Sequence, residues 1–483
     1  MIRVSAREIC QITGATLVAG PQDREIAGVA IDSRGVPEGG MFVAFPGERV
    51  DGNDFVTAAI KAGAAAVAMS RTPDADVLAA ADAHDAVVLT IQDAEAFLQA
   101  LASWWRGQLD AVVVGVTGSS GKTTTRNMIA AVLATELRTH TATGNHNNLI
   151  GCPLTILSCP ADAQALVVEM GMSALGEIAT LARIARPDLA VITNVGVAHI
   201  GDLGSRENIA RAKSEIITGL VPSAESGRVR SRVFLWGEDA FTGWMRAEVA
   251  APRGVDVVTY GTRADDDCRA TDVRVDDLGR ARGTVTLPSG ATTSMSLRIA
   301  GRHNALNALA AAAVGDAVGI SPAHIAEGLA AAEGFRMHQQ VLRTKGGVTL
   351  IDDSYNANPD SMRRAIDQLA DTSATRRVAC LGDMAGLGED GDLQHAAIGG
   401  YAAGKGIDVL VCVGPASRRL AQAAVTVGMA PASVVTVDDP QAAVTALEGI
   451  LRPGDALLVI ASHCTGLERV VEGVLASGGA EAC

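Results

Sequence analysis

This sequence predicts an α/β protein of three domains: an α/β N-terminal domain, a central parallel-sheet domain built on a P-loop, and a C-terminal Rossmann-like domain. Three observations lead there. The chain has 483 residues, several times what one core usually organises. Apolar runs of strand length alternate with helix-length stretches in two separate blocks, the pattern of parallel sheets covered on both faces. Residues are 48% hydrophobic but only 3% aromatic, so Ala, Val and Gly fill the cores, which suits helices lying close on sheets.

Taken in order, residues 1–105 mix short strands and helices. "VAIDSRGVPEGGMFVAF" reads as strand, turn and strand, because polar and glycine positions punctuate the apolar ones. In residues 106–333 the strands are "AVVVGVTG", "ALVVEMG", "LAVITNVG" and "VDVVTYG", each followed by helix-forming sequence. A more β-like stretch, "ATDVRVDDLGRARGTVTLPSG", precedes the Ala-rich helix "NALNALAAAAVGDAVG". Residues 334–483 repeat the alternation with "VTLIDD", "RVACLGD", "DVLVCVG", "SVVTVDD" and "ALLVIAS". A ligand edge is expected at the carboxyl ends of these strands.

Composition narrows the function. A net charge of −14 with no long basic run argues against a nucleic-acid surface. No apolar stretch approaches membrane-spanning length, so no membrane insertion and a cytoplasmic location are expected. The 8 cysteines form no C-x-x-C pair, which fits a reducing compartment without structural zinc.

The chemistry concentrates at "VTGSSGKTTT", residues 116–125, directly behind a buried-strand run. Gly118 and Gly121 allow a tight turn whose N–H groups converge on phosphate oxygens at a helix N-terminus. Lys122 would reach the outer phosphates and Thr123 would offer its hydroxyl to magnesium. The first glycine of the usual P-loop pattern is missing, since Val116 stands there; the alternative is a glycine turn with no ligand. Glu169 ends the strand "ALVVEMG", where a P-loop protein keeps an acid for magnesium, an oxygen-seeking ion. His199 follows another strand end, where a packing or capping role is the alternative. Lys213, in "NIARAKSEIITGL", reads on spacing alone as a solvated helix lysine, with Ile209, Ile217 and Leu220 marking the apolar face. Asp353, Asn356 and Asn358 follow the strand "VTLIDD", either as ligand-edge groups or as turn formers before Pro359.

Together "TGSSGKTTT", "GNHNNLIGCPLT", "VVEMG", "ITNVGVAHI", "ARAKSEI", "GRHNALNALAAAA", "IDDSYNANPDSM" and "LGDMAGLGE" resemble, over nearly the whole chain, the Mur ligases of peptidoglycan synthesis. "IDSRGVPEGGMFVAFPGERVDGNDF" resembles that family's UDP-binding domain, and "SYNANP" with "GNHNN" resembles its dipeptide-adding branch. The family pattern T-G-x-x-G-K-T-T has no glycine at the position of Val116. The resemblance implies an ATP-dependent amide ligase that activates the carboxylate of a UDP-muramoyl-peptide as an acyl phosphate and joins it to D-Ala-D-Ala, acting as a monomer. It assigns ATP to Gly118, Ser119, Ser120, Gly121, Lys122, Thr123, Thr124, Asn304, Arg336, Asp353 and Asn358, with Asn304 at the adenine. It assigns the UDP-side substrate to Ser33, Arg34, Asn147 and Asn148. Two magnesium ions fall to Thr123, Glu169, His199 and a carbamylated Lys213, and the catalytic roles to Lys122, Lys213 and His199. Residues 460–464 read I-A-S-H-C where the family carries a K-G-S-R-like turn. A ligase of the same architecture acting on another carboxylate and amine is the alternative this departure raises.

Overall fold

The computed structural model describes all residues except 48–49, 143, 221–228, 335–336, 338, 479 and 482–483. Its N-terminal domain is a five-stranded sheet in the order Thr16–Ala19, Val87–Thr90, Ala66–Met69, Met41–Val43, Val29–Ala30. The first pairing is antiparallel and the others parallel. Val29 lies opposite Met41 in parallel, so the polar segment between these two strands is a crossover rather than a hairpin.

The central sheet has nine strands, ordered Thr292–Ala300, Arg280–Thr286, Cys268–Val275, Asp256–Gly261, Arg232–Trp236, Leu189–Ile192, Val112–Thr117, Ala165–Glu169, Thr139–Thr141. The strands from Thr139–Thr141 to Cys268–Val275 pair in parallel, and those still to come at the far edge form an antiparallel meander. The reason is in the sequence: Thr292–Ala300 alternates exposed and buried residues almost to its end, the signature of a sheet with one wet face. The parallel strands Ala165–Glu169 and Leu189–Ile192 are buried throughout.

Small residues set the helix spacing. The helix Asn304–Val318 is apolar nearly all round and buries Ala308 and Ala310–Ala313 completely, as a helix enclosed by others must. A Cβ at Gly315 would sit 2.6 Å from Val132 Cγ1, and one at Gly328 would sit 2.5 Å from Val132 Cα. The helix Lys122–Leu133 is thus held close on two sides, and the loop that starts it inherits that fixed position.

The C-terminal domain is a seven-stranded sheet, ordered Val434–Val437, Val409–Val413, Arg376–Gly382, Asp455–Ile460, Thr349–Asp353, Gln340–Thr344, Ala480–Glu481. Its first five strands are parallel, and Gln340–Thr344 closes one side in antiparallel pairing.

The first two domains share a core. The helix Ala94–Gln108, capped by the Asp93 carboxylate on the Glu95 and Ala96 amides, runs through residue 105. It buries Phe97, Leu98, Leu101 and Trp105 in a cluster that reaches from Ile2 to Ile216. Arg106, 4% exposed, donates to the carbonyls of Ala185 (2.7 Å) and Arg186 (3.0 Å) and lies 3.6 Å from the fully buried Asp188. Asp188 in turn accepts the Val113 amide at 2.8 Å, which ties this cluster to the strand that carries the phosphate loop. Removing one member of a buried pair costs about 3–5 kcal/mol. Arg106→Met should therefore lose that much, seen as a lower urea midpoint at unchanged slope.

Candidate active site

The strand Val112–Thr117 delivers the loop. Val116 is fully buried, lies opposite Glu169 and Val191, and accepts the Met170 amide at 2.8 Å. It is a strand residue, so the turn begins only at Gly118. Gly118 has φ 152° and a Cβ there would fall 1.8 Å from Thr193 Oγ1. Gly121, at φ 77°, would meet Asn307 Oδ1 at 2.8 Å. No side chain could be added at either position. Next to it, the Ser119 amide donates to the Asn194 carbonyl (3.0 Å), and Thr193 Oγ1 and Asn194 Nδ2 both donate to the Ser120 carbonyl (2.6 and 3.0 Å). The helix Lys122–Leu133 has no side-chain cap, which leaves first-turn N–H groups available to an anion.

Behind the loop sits one carboxylate with many donors. Glu169, 1% exposed, accepts the Thr123 hydroxyl at 2.9 Å and the Asn147 amide at 2.8 Å, and Arg126 Nη1 lies 3.4 Å away. Arg126 stands one turn after Lys122, is fully buried, and also donates to the Gly144 carbonyl at 2.9 Å. Asn145 accepts from Asn147 at 2.6 Å. Lys122 Nζ donates to the Gly118 carbonyl at 2.9 Å. Burial lowers the Lys122 ammonium below its usual range, with Glu169 opposing.

Lys213 is buried, 2% exposed, which corrects the expectation of a solvated lysine. It stands four residues from both Ile209 and Ile217, so the helix Arg206–Thr218 carries it on the apolar stripe itself. Its side chain borders the cavity and has no hydrogen bond or ion pair with any described residue. Burial holds its ammonium well below the usual lysine range, and Lys122 pushes the same way. His199 adopts the left-handed conformation at φ 65° at the start of a short helix, with Nδ1 3.5 Å from Asp202. Burial, Lys122 and Lys213 lower its imidazole against the pull of Asp202.

The C-terminal domain forms the opposite wall. Asp353 ends the strand Thr349–Asp353, and burial and Asp352 push its carboxyl up to about 7 against hydrogen bonds from Gln339 and the charge of Arg364. Asn358 caps the helix Pro359–Asp371, accepting the Asp360 and Ser361 amides (3.1 and 2.9 Å). Its turn role and its place on the cavity wall therefore coexist. The space between these walls is about 310 Å³. It brings together Gly118, Ser119, Ser120, Gly121, Lys122, Thr123, Thr124, Glu169, His199, Lys213, Asn304, Asp353, Asn356 and Asn358.

Four expected residues are placed differently. Asn147 and Asn148 border this same cavity, whereas Ser33 and Arg34 lie outside it on the N-terminal domain, with Arg34 paired to Asp32 at 2.7 Å. Asn148 Oδ1 is occupied by the Ile150 and Gly151 amides. Asn304 donates to the Ala300 carbonyl (2.6 Å) and accepts from Asn307 (2.8 Å). Arg336 lies outside the described residues. Sequence reasoning passed over Arg126, Asn307 and Arg364. The first is signalled by its helical spacing from Lys122 and the second by its spacing from Asn304.

Comparison with known proteins agrees with this architecture. The Mur ligase middle domain matches residues 116–315, the Mur ligase glutamate ligase domain 336–463, and the Mur ligase family catalytic domain 25–106. The UDP-N-acetylmuramoyl-tripeptide–D-alanyl-D-alanine ligase of Bacillus subtilis (strain 168) is 36% identical over 481 residues, covering 99% of each chain. That of Mycobacterium tuberculosis (strain ATCC 25618 / H37Rv) is 38% identical over 519 residues, covering 99% of this chain and 98% of its own. A crystal structure of MurF from Acinetobacter baumannii superposes with a TM-score of 0.85 at 29% identity, covering 99% of both chains. MurF from Thermotoga maritima in complex with ADP gives 0.76 at 28% identity, covering 93% of this chain and 97% of that one. Fold and cavity define an ATP-dependent amide ligase of three domains. The chain belongs to the Mur ligase family.

Proposed function

We propose that this enzyme joins D-alanyl-D-alanine to UDP-N-acetylmuramoyl-tripeptide, with ATP converted to ADP and phosphate. The observation that carries the reading is the end-to-end match to dipeptide-adding ligases, joined to a phosphate loop that faces a second domain across one cavity. The tripeptide carboxylate attacks the γ-phosphorus, the bond to the β-bridging oxygen breaks, and ADP leaves an acyl phosphate. The loop amides and Lys122 hold the polyphosphate in line for that attack. The dipeptide amine then attacks the acyl carbon, losing a proton as phosphate leaves. Limiting the access of water to the acyl phosphate in this cleft would favour amide formation over hydrolysis.

Magnesium fits the donors as a partly hydrated ion shared with phosphate. Among the described residues no group of three His, Cys, Asp or Glu could hold a metal, and Glu169 with the Thr123 hydroxyl supplies the oxygen set. Magnesium is commonly bound through one or two carboxylates, waters and substrate phosphates. Bound there with His199 nearby, it would neutralise phosphate charge. Lys213 supports a second ion once carbamylated. Its buried amine is held toward the neutral form that adds carbon dioxide, and the product is an anionic oxygen ligand in a cationic corner. Asn304 is assigned to the adenine, and Ser33, Arg34, Asn147 and Asn148 to the UDP-side substrate, of which Asn147 and Asn148 border the cavity. A division at 333/334 is kept in this reading, while the one expected at 105/106 falls inside the helix Ala94–Gln108 and is moved to the end of that helix. No helix among the described residues is long and apolar enough to cross a membrane; a cytoplasmic location and a monomeric state belong to this same proposal.

ADP release should require both UDP-MurNAc-tripeptide and D-Ala-D-Ala, with little release when either is omitted. Hydrolysis indifferent to both would overturn ligation. Dependence on another carboxylate and amine would select a sister ligase, the reading that the I-A-S-H-C segment favours; there His463 stacks on the cavity residue Tyr355 with centroids 5.6 Å apart.

A further inference from the structure

We propose that Arg364, carried by the C-terminal domain, is a ligand of the nucleotide polyphosphate, reaching the phosphate loop from across the cleft. This rests on reading the cleft as the ATP site. The helix Pro359–Asp371 sets its first turn on the central domain, where the Asp360 carboxylate accepts the Val197 amide at 2.8 Å. That approach requires glycine at 196, since a Cβ there would lie 2.0 Å from Asp360 Oδ2. One turn later Arg364 Nε donates to the Asp360 carbonyl at 3.2 Å and Nη2 donates to the Ser120 hydroxyl, in the middle of the loop. An anchor four residues earlier therefore aims the guanidinium.

Its surroundings suit an anion. Arg364 and His303 are shared between the 310 Å³ cavity and a neighbouring one of about 500 Å³, lined by Trp236, Leu306 and Leu309, so a ligand spanning the two passes the guanidinium. Among the described residues no carboxylate pairs with it within 4 Å, and Nη1 has no hydrogen-bond partner. Ser120 offers one neutral acceptor, whereas phosphate oxygens match the planar fork with charge and with two acceptors. Lys122 enters from the loop side, so a polyphosphate would be held between cations of two domains. Loss of Arg364 then weakens nucleotide binding as well as the contact between the two domains.

The test uses the full-length chain. Arg364→Met keeps the stem and removes the charge, while Arg364→Lys keeps the charge and removes the fork. Hydrogen bonds to charged groups correspond to roughly ten- to hundredfold in affinity. The methionine variant should raise both the Kd of the β,γ-methylene analogue of ATP and the KM for ATP by about that factor, with lysine between. Asp360→Asn loosens the same helix but leaves the guanidinium, and should lower kcat more than analogue affinity. Wild-type affinity in Arg364→Met, even with kcat reduced, overturns the proposal and leaves a domain brace. So does an equal loss of affinity in Asp360→Asn. If the methionine variant does not fold, unchanged affinity in Arg364→Lys overturns it instead. Failure of the wild-type enzyme to release ADP in a substrate-dependent way would sink the ligase reading, a different outcome.

Discussion

Lys122→Ala is expected to reduce substrate-dependent ADP release by about 10²–10³-fold, the loss seen when one preorganised charge-stabilising donor is removed. Lys122 is the first residue of the loop helix, and its ammonium is already folded back onto the Gly118 carbonyl at 2.9 Å. That hydrogen bond holds the ammonium against the loop whose N–H groups would carry the phosphate. Burial weakens the ammonium, and Glu169 restores part of it; a polyphosphate beside it would act in the same direction as Glu169. The measurement is steady-state ADP release at saturating substrates, with the unfolding midpoint as a control. Full activity in a folded variant would remove Lys122 from the mechanism.

Lys213→Ala should cost turnover on a similar scale, and short carboxylates such as acetate or formate should restore part of it. The prediction separates two roles for a buried lysine. If Lys213 acted as a cation beside Lys122, an added anion would not substitute for it. If it acts as a carbamate, the cavity left by alanine accepts a carboxylate in place of the lost one. Depletion of bicarbonate should lower wild-type activity and leave the alanine variant unaffected. Full activity of Lys213→Ala, or loss with no rescue by any short carboxylate, would remove the carbamate from the mechanism.

The antiparallel edge of the central sheet shows where sequence reading needed help. Residues 270–290 were legible as β-rich, whereas the edge strand Thr292–Ala300, whose alternation exposes one face, went unread. The strand Arg232–Trp236 holds an apolar run of only four residues, Val233–Trp236, between Arg232 and Gly237–Glu238, and it went unread beside the longer ones. Asn358 was legible as a turn former because capping is local: acceptor and donors lie within three residues. Arg126 offered only a helical spacing, since its partner Glu169 is remote in the chain.

By itself, the sequence determined the doubly wound architecture, the phosphate loop and the acid at the end of the adjacent strand. Each depends on short-range facts: continuous apolar runs, glycines where the backbone turns, and a lysine opening a helix. Only the tertiary structure decided that Lys213 is buried with no ion partner among the described residues, that Asn147 turns to Glu169 rather than toward Ser33 and Arg34, and that Arg364 meets Ser120. Those contacts join elements far apart in sequence. Whether a charged side chain is solvated, paired or held neutral depends on what packs across it, and helical spacing alone cannot report that.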